Sequence, residues 1–180
     1  MEKEAEKRGL LNLRTTDDAL PCFVSEKNIR LFTKHRIFNE TEMRARYEIQ
    51  LESYCKMFPV EAVTMLEMAR KEIMPARSAY CRALSNSGSA RQSILPQSSG
   101  EPEESLAARL AGLNASLYQK TELLDEIMSP AKTIKEAKLL SEYYRDSILP
   151  AMRAAGDEIE RLVADEYWPF PTYGDLLFHL

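Results

Sequence analysis

Apolar residues at helical spacing constrain the fold of this chain more than any other feature. In the first such segment they recur at steps of four, four, three and four, so they form one face of an α-helix. Three further segments repeat this pattern. Together they predict an all-α protein, a four-helix-like antiparallel bundle. The faces are Met43, Tyr47, Leu51, Tyr54 and Phe58; Val63, Leu66, Ala69, Ile73, Ala76, Tyr80 and Leu84; Leu106, Leu110, Leu113, Leu117, Leu124 and Ile127; and Ala137, Leu140, Tyr144, Ile148, Ala151, Ala155, Ile159 and Leu162.

Prolines divide these segments. Pro59 suits a first helical position, so a new helix is expected to begin there at an angle to the preceding one. Pro75 and Pro150 lie inside apolar faces that continue in phase, and each is expected to kink its helix without ending it. Their settings, Ile-Met-Pro-Ala and Ile-Leu-Pro-Ala, favour related positions in the bundle. Ser129 and Pro130 are expected to interrupt a further helix.

Two capping boxes and a serine-rich stretch mark other boundaries. Asn39 with Glu42, and Thr133 with Glu136, have the spacing at which each residue satisfies the other's backbone N–H at a helix start. Residues 85–105 are rich in Ser, Gly and Pro and poor in apolar residues, so a flexible loop is predicted there.

The first 24 residues differ from the rest. A short polar helix over residues 2–8 is expected to stop at Gly9, and an irregular stretch from Leu10 to Val24 follows it. Ser25 is typical of an N-cap, here for a short helix over residues 26–35. We therefore predict a connector over residues 1–24 and a helical bundle domain over residues 25–180.

Composition and charge exclude several classes of protein. The 24 Lys and Arg residues are interleaved with 28 Asp and Glu residues, and the net charge of −4 argues against a nucleic-acid binder. No apolar run approaches the ~20 residues that span a membrane, and the N-terminus lacks a signal-peptide core, so a cytoplasmic protein is predicted. The three cysteines form no CxxC pair, and glycine-rich phosphate-binding motifs do not occur.

No residue pattern predicts a catalytic, cofactor or metal site. His35 and His179 have no carboxylate or cysteine at a metal-ligand spacing, so a structural or solvent role is predicted for both. Neighbouring carboxylates such as Glu48 and Glu52 are expected to be solvated, because a di-metal bundle would also need an ExxH motif, which the chain does not contain. A Ser-His-Asp or Cys-His site stays open, since such residues meet only in space.

The C-terminal tail is aromatic and interrupted by proline, so neither a regular helix nor a central strand is expected there. Trp168, Phe170, Tyr173 and Phe178 carry a large apolar surface on a segment without a core of its own. They either fold back onto this chain's own bundle or dock on a neighbouring domain or subunit. These four residues are the candidate interface.

Six segments, taken together, resemble the C-terminal region of type III glutamine synthetase. The resemblance covers essentially the whole chain apart from the serine-rich stretch, and the order of SEKNI, RYEI and the tail is more specific than any one segment. The segments are residues 9–16 (GLLNLRTT), 19–21 (ALP), 25–29 (SEKNI), 46–49 (RYEI), 143–146 (YYRD) and 168–178 (WPFPTYGDLLF).

This resemblance implies a non-catalytic helical domain of an enzyme that joins ammonia to glutamate with ATP and Mg²⁺ or Mn²⁺. In that family the chains assemble into two stacked hexameric rings, and the active site belongs to the upstream, β-rich part. This chain alone is therefore expected to be inactive and to hold no cofactor, with Met1 marking a start inside a longer enzyme. Its expected partners are the catalytic domain and sister subunits, contacted through the tail and residues 26–47.

Two other functions stay open. A free-standing helical adaptor would bind a protein partner through the same aromatic tail, and a true start codon at Met1 would favour it. A bundle that binds a small molecule or a metal would need carboxylates from distant parts of the chain to meet in space.

Overall fold

The computed structural model describes residues 4, 7–95, 101–156, 162–171 and 173–178, and these contain helices but no strand. The all-α prediction is confirmed. None of the described helices combines the length and apolar character that crossing a membrane requires. The α-helices are α1 (Thr16–Phe23), α2 (Glu26–Lys34), α3 (Glu40–Met68), α4 (Met74–Ile94), α5 (Glu101–Ala131), α6 (Ala137–Tyr143), α7 (Leu149–Gly156) and α8 (Tyr173–Phe178). Two π-helical segments, Ala69–Ile73 and Tyr144–Ile148, precede α4 and α7, and Asp165–Tyr167 forms a 3₁₀ turn.

The described residues fall into two compact units, each with buried apolar side chains of its own. The first unit comprises Met1–Glu61 and Met128–Leu149. The second comprises Ala62–Ile127 and Pro150–Leu180. The long helices α3 and α5 each contribute residues to both units, so each unit is built from segments that are distant in sequence.

The first unit is packed around the apolar face predicted for α3. Met43, Leu51, Tyr54 and Phe58 are buried and Tyr47 is half-buried, which confirms that face. Tyr54 meets Phe58 edge-on with ring centroids 4.6 Å apart, and Phe58 stacks on a tyrosine of the second π segment at 5.7 Å. Such aromatic contacts add to the stabilisation that burial provides.

Residues 1–24 contain more helix than the sequence predicted. Gly9 has a φ of 72°, the left-handed conformation expected of a helix stop. The stretch from Leu10 to Val24, predicted to be irregular, contains α1, because Thr15 caps it by accepting a hydrogen bond from the backbone N–H of Asp18 at 3.2 Å. Most of the helix predicted over residues 2–8 lies outside the described residues.

One of the two predicted capping boxes is confirmed. The backbone N–H of Asn39 donates to Oε2 of Glu42, and the backbone N–H of Glu42 donates to Oδ1 of Asn39, both at 2.8 Å. The second prediction is wrong, because the Thr133 hydroxyl donates to the carbonyl of Pro130 at 2.8 Å and so closes the end of α5. Helix α6 begins three residues later than that box would place it, and within the described residues its N-cap makes no side-chain hydrogen bond.

Two prolines lie within helices that they were expected to begin or interrupt. Helix α3 continues through Pro59, and α5 runs past Ser129 and Pro130 to its end at Ala131. An unrelieved proline costs a helix about 3 kcal/mol. Phe58 and Ala131, the residues next to the two prolines, are buried, and we attribute the survival of both helices to this packing.

At Pro75 and Pro150, where kinks were predicted, the chain passes through a π-helical turn. The N–H of the residue before each proline donates to the carbonyl five residues earlier, instead of the usual four. The wider turn accommodates a residue that lacks an N–H and whose ring would clash with the preceding α-helical turn. The two similar sequences therefore share one local backbone conformation.

The second unit has its own core, made by residues of the first π segment, α5 and α7. Val63, predicted to be on a buried face, is 47% exposed, so that face begins three residues later, at Leu66. The cluster consists of Ala69, Ile73, Leu117 and Ala155, with Met65, Met68, Met74, Trp168 and Phe170 packed against it.

The flexible loop predicted over residues 85–105 is largely helical. Helix α4 continues to residue 94 and α5 begins at residue 101, while residues 96–100 lie outside the described part. Gly88 is buried close to the Glu103 side chain, and Arg91 forms an ion pair with Glu103. These contacts between α4 and α5 favour helix in a stretch whose composition alone does not.

Candidate functional site

A buried carboxylate organises the polar groups of the first unit. Asp17 is fully buried, and three side chains donate hydrogen bonds to its carboxylate. They are Lys138 Nζ at 2.8 Å, Ser141 Oγ at 2.5 Å and Arg145 Nη1 at 2.9 Å. A buried carboxylate without such donors would be strongly destabilising. We call these four residues the Asp17 cluster.

Local helix geometry places the members of this cluster. The Thr15 cap starts α1 just before Asp17, so that the carboxylate lies in the first helical turn. Lys138, Ser141 and Arg145 are three and four residues apart, which puts them on one helical face. The Ser141 hydroxyl also lies 2.7 Å from the backbone carbonyl of Lys138, which belongs to the same helix.

Arg145 connects the cluster to two further carboxylates. Its Nη1 atom is also 2.8 Å from Asp18, while Nε and Nη2 make a bidentate pair with Asp146 at 2.7 and 2.8 Å. The hydrogen bond from Arg145 lowers the pKa of Asp146. The same bond, followed by the charges of Asp18 and Asp17, raises the pKa of the guanidinium above its ordinary value.

The cluster also changes the proton affinity of its neighbours. Burial lowers the pKa of Lys138, but the hydrogen bonds and charges of Asp17 and Glu142 together outweigh it, so the pKa ends above its ordinary value. Burial and then the charge of Asp17 raise the pKa of Tyr54 and of Cys55. The Cys55 thiol donates to the carbonyl of Ala137 at 3.4 Å, whereas the buried Tyr54 hydroxyl has no hydrogen-bond partner among the described residues.

This arrangement is suited to holding chain segments together. The Asp17 carboxylate already accepts hydrogen bonds from two cations and a hydroxyl, and it joins residues that are 121 to 128 positions apart. A divalent cation at Asp17 would have to displace Lys138 and Arg145, so the residues present do not fit a metal or a metal-bound nucleotide. Among the described residues, no group of three His, Cys, Asp or Glu side chains could hold a metal ion.

The first unit also exposes large apolar side chains near its N-terminal end. Leu10, Leu11 and Leu13 are 62%, 70% and 40% exposed and lie in a segment without regular secondary structure. We call these three residues the leucine strip. Leu31 and Ile37, within the region of residues 26–47 singled out from the sequence, are also exposed. Clustered apolar residues of this kind mark surfaces that bind other proteins.

The four aromatic residues of the predicted interface do not all form one exposed surface. Trp168 and Phe170 are half-buried against the core of the second unit, and their rings meet edge-on with centroids 5.8 Å apart. These two residues therefore pack at least partly onto the chain's own core. The segment of Tyr173 and Phe178 forms the short helix α8, although no helix was expected in the tail, and the side chains of these two residues lie outside the described part.

His35 and Glu52, two further residues considered from the sequence, face solvent. His35 is exposed and caps the C-terminal end of α2, while His179 lies outside the described residues. Glu52 pairs with Lys56 on the surface of α3. A groove of about 600 Å³ lies between α4 and α5 in the second unit. Buried Arg77 forms part of its wall, and Nη1 of Arg77 donates to the carbonyl of Leu113 at 3.4 Å.

Sequence reasoning missed the Asp17 cluster, although the sequence contains two features that point toward it. The spacing of Thr15 and Asp18 is that of a capping pair, which would have placed a helix start beside Asp17. Arg145 belongs to one of the six segments that carried the family resemblance. No local pattern connects Asp17 to Arg145, because their contact depends on the tertiary fold.

Comparisons with known proteins agree on one family. Residues 1–92 match the family model described as the glutamine synthetase C-terminal domain. A glutamine synthetase of Butyrivibrio fibrisolvens is 36% identical over 99% of this chain and 26% of its own length. A type-3 glutamine synthetase of Dictyostelium discoideum is 30% identical over 97% of the chain and 25% of its length, and a glutamine synthetase of Bacteroides fragilis is 25% identical over 98% and 25%. The chain thus spans about a quarter of the length of these relatives, and by its match to the family model it belongs to the glutamine synthetase C-terminal domain family.

Proposed function

We propose that this chain is the non-catalytic C-terminal helical domain of a type III glutamine synthetase, which makes glutamine from glutamate, ammonia and ATP. The observation that carries the proposal is the extent of the matches. Three glutamine synthetases align with 97–99% of this chain but with only 25–26% of their own length. One of them is named as type-3. In this proposal the catalytic residues, ATP and Mg²⁺ or Mn²⁺ belong to the other three quarters of the enzyme.

The chemistry of the Asp17 cluster supports a structural role for the domain. Its central carboxylate is fully buried and saturated by donors from the same unit, so it is not available to a substrate. The cluster instead stabilises the position of α1 against α6. A domain that braces a larger enzyme needs such rigidity more than it needs reactive groups.

The partners in this proposal are the catalytic domain and sister subunits of a cytoplasmic enzyme built from two stacked hexameric rings. Exposed apolar side chains of the first unit, including Leu31 and Ile37, support a protein partner. Trp168 and Phe170 support it less, because they pack against the core of their own unit. Because these two tail residues pack against their own unit, and because the chain matches the glutamine synthetase family, we favour this function over a free-standing adaptor that binds through its tail.

The proposal is tested by activity and by assembly. The purified chain is assayed for glutamine formation from glutamate, ammonia and Mg-ATP, and the full-length enzyme that contains it is compared with a version truncated before residue 10. We expect no activity from the chain and fewer subunits per particle for the truncated enzyme. Glutamine formation by the chain after complete removal of host synthetase, or unchanged assembly of the truncated enzyme, would contradict the proposal.

A further inference from the structure

We propose that the Asp17 cluster fixes the leucine strip, Leu10, Leu11 and Leu13, in position as a docking surface for the catalytic part of the same polypeptide. The inference rests on the proposed function and extends it by naming the surface and the residues that orient it. Three large apolar side chains among four consecutive residues are exposed there, a concentration that is unfavourable in water unless another surface covers it.

The strip is anchored on its C-terminal side. The Thr15 hydroxyl accepts the Asp18 N–H and donates to the Asp18 carboxylate at 2.6 Å, and Asp17 is bound by three donors. A segment anchored in this way loses less conformational entropy when it binds than a free connector would lose.

The relatives indicate which surface covers the strip. The matching family model describes a C-terminal domain, and in the proposed function the catalytic part of the enzyme precedes it. The strip lies among the first 13 residues that the family model matches, at the end of the domain that is nearest in sequence to this preceding part. Because both parts belong to one polypeptide, the effective concentration of the catalytic part at the strip is high, and docking needs little intrinsic affinity.

Hydrogen–deuterium exchange on the full-length enzyme and on this chain tests the inference. We expect the amides of residues 11–14 to exchange at least about tenfold more slowly in the full-length enzyme, consistent with burial of the strip. Leu11→Ser should remove most of this protection. Leu139→Ser, which changes an exposed leucine on α6, is the matched control and should leave the protection of residues 11–14 unchanged.

The role of the cluster is tested with two variants that keep all three leucines. Asp17→Asn removes the buried charge, and Arg145→Lys keeps a positive charge but loses the geometry that reaches both Asp17 and Asp18. Both variants should reduce the protection of residues 11–14 while the amides of α3 remain protected. Continued protection of the α3 amides shows that the variants are folded. Full protection in both folded variants would overturn the orienting role.

Two further outcomes would overturn the docking surface itself. Equal exchange of the strip in the full-length enzyme and in this chain would show that nothing covers it. Protection in this chain alone that rises with protein concentration would identify a second copy as the occupant. The glutamine assay separates the two proposals: an active chain contradicts the proposed function, whereas an inactive chain with an unprotected strip contradicts only this inference.

Discussion

Pro75 and Pro150 have the same local environment: each is the second residue of an α-helix that directly follows a five-residue π segment. In both cases the π segment ends in a fully buried isoleucine, Ile73 or Ile148. The wider π turn accommodates the proline, which lacks an N–H and whose ring would clash with a preceding α-helical turn. The sequence similarity around the two prolines therefore reflects a shared structural solution.

Shortening the first π segment should reveal this coupling between the turn and the proline. Deleting Glu72, an exposed residue of that segment, is expected to convert the π turn into ordinary α-helix. The proline ring would then clash with the preceding turn, at about 3 kcal/mol. We therefore expect the deletion to destabilise the wild-type chain by about 3 kcal/mol more than it destabilises the Pro75→Ala variant, measured by urea unfolding. Equal effects in the two backgrounds would show that the proline does not require the π turn.

The reciprocal cap at the start of α3 gives a second prediction. Asn39→Ala removes the acceptor for the Glu42 N–H at an exposed helix end, and we expect it to lower the free energy of unfolding by about 1 kcal/mol. Glu42→Gln keeps an oxygen that can accept from the Asn39 N–H, so it should change stability by less than half of that amount. A larger loss for Glu42→Gln than for Asn39→Ala would contradict this account of the cap.

The features that sequence reasoning predicted correctly are local ones. Asn39 and Glu42 are three residues apart, and the face of α3 from Met43 to Phe58 depends on helical spacing alone, so both could be read directly. Pro75 indicated that the helix is disturbed. The sequence does not distinguish a kink from a π turn, because the outcome depends on how the surrounding residues pack. The serine-rich stretch was misassigned because tertiary contacts at Gly88 outweigh weak helix propensity.

The candidate site shows the same limit more strongly. Asp17 lies at the start of a short helix in a stretch whose composition favours no regular structure, and nothing nearby in sequence marks it as buried. Its partner Arg145 is 128 residues away. Only the fold brings the two together, and only then does the spacing of the donors Lys138, Ser141 and Arg145 gain a meaning. Burial of a charged residue such as Asp17 therefore depends on the tertiary structure and cannot be predicted from the spacing of residues in the sequence.

The Tyr54 hydroxyl provides a third prediction. It is buried without a hydrogen-bond partner in the described part of the chain, and an unpaired buried polar group is unfavourable. We expect Tyr54→Phe to leave the free energy of unfolding unchanged or to raise it by up to about 1 kcal/mol, as measured by thermal and urea unfolding. Tyr54→Leu is the control, since it also removes the aromatic contact with Phe58 and should destabilise the chain. A clear loss of stability in Tyr54→Phe would show that the hydroxyl is hydrogen-bonded, for example to a buried water.

Alkaline pH should destabilise the first unit, beginning with Cys55. Burial and the charges of Asp17 and Glu52 raise the thiol pKa above its ordinary value of 9.0, so the folded chain holds this proton more tightly than the unfolded chain does. The resulting stabilisation is complete below the unfolded pKa and is lost as pH rises through the folded pKa, at up to about 1.4 kcal/mol per pH unit. Urea unfolding under reducing conditions between pH 7.5 and 11 measures this decline.

Cys55→Ser separates the thiol from the other groups that titrate in the alkaline range. The serine hydroxyl does not ionise there, and it can still donate to the carbonyl of Ala137. Between pH 8.5 and 10 the variant should therefore lose stability less steeply than the wild-type chain. Above about pH 10 both should decline, because the pKa values of Tyr54 and Lys138 are also raised in the folded state. Identical slopes below pH 10 in the two proteins would show that ionisation of Cys55 does not limit the alkaline stability of this unit.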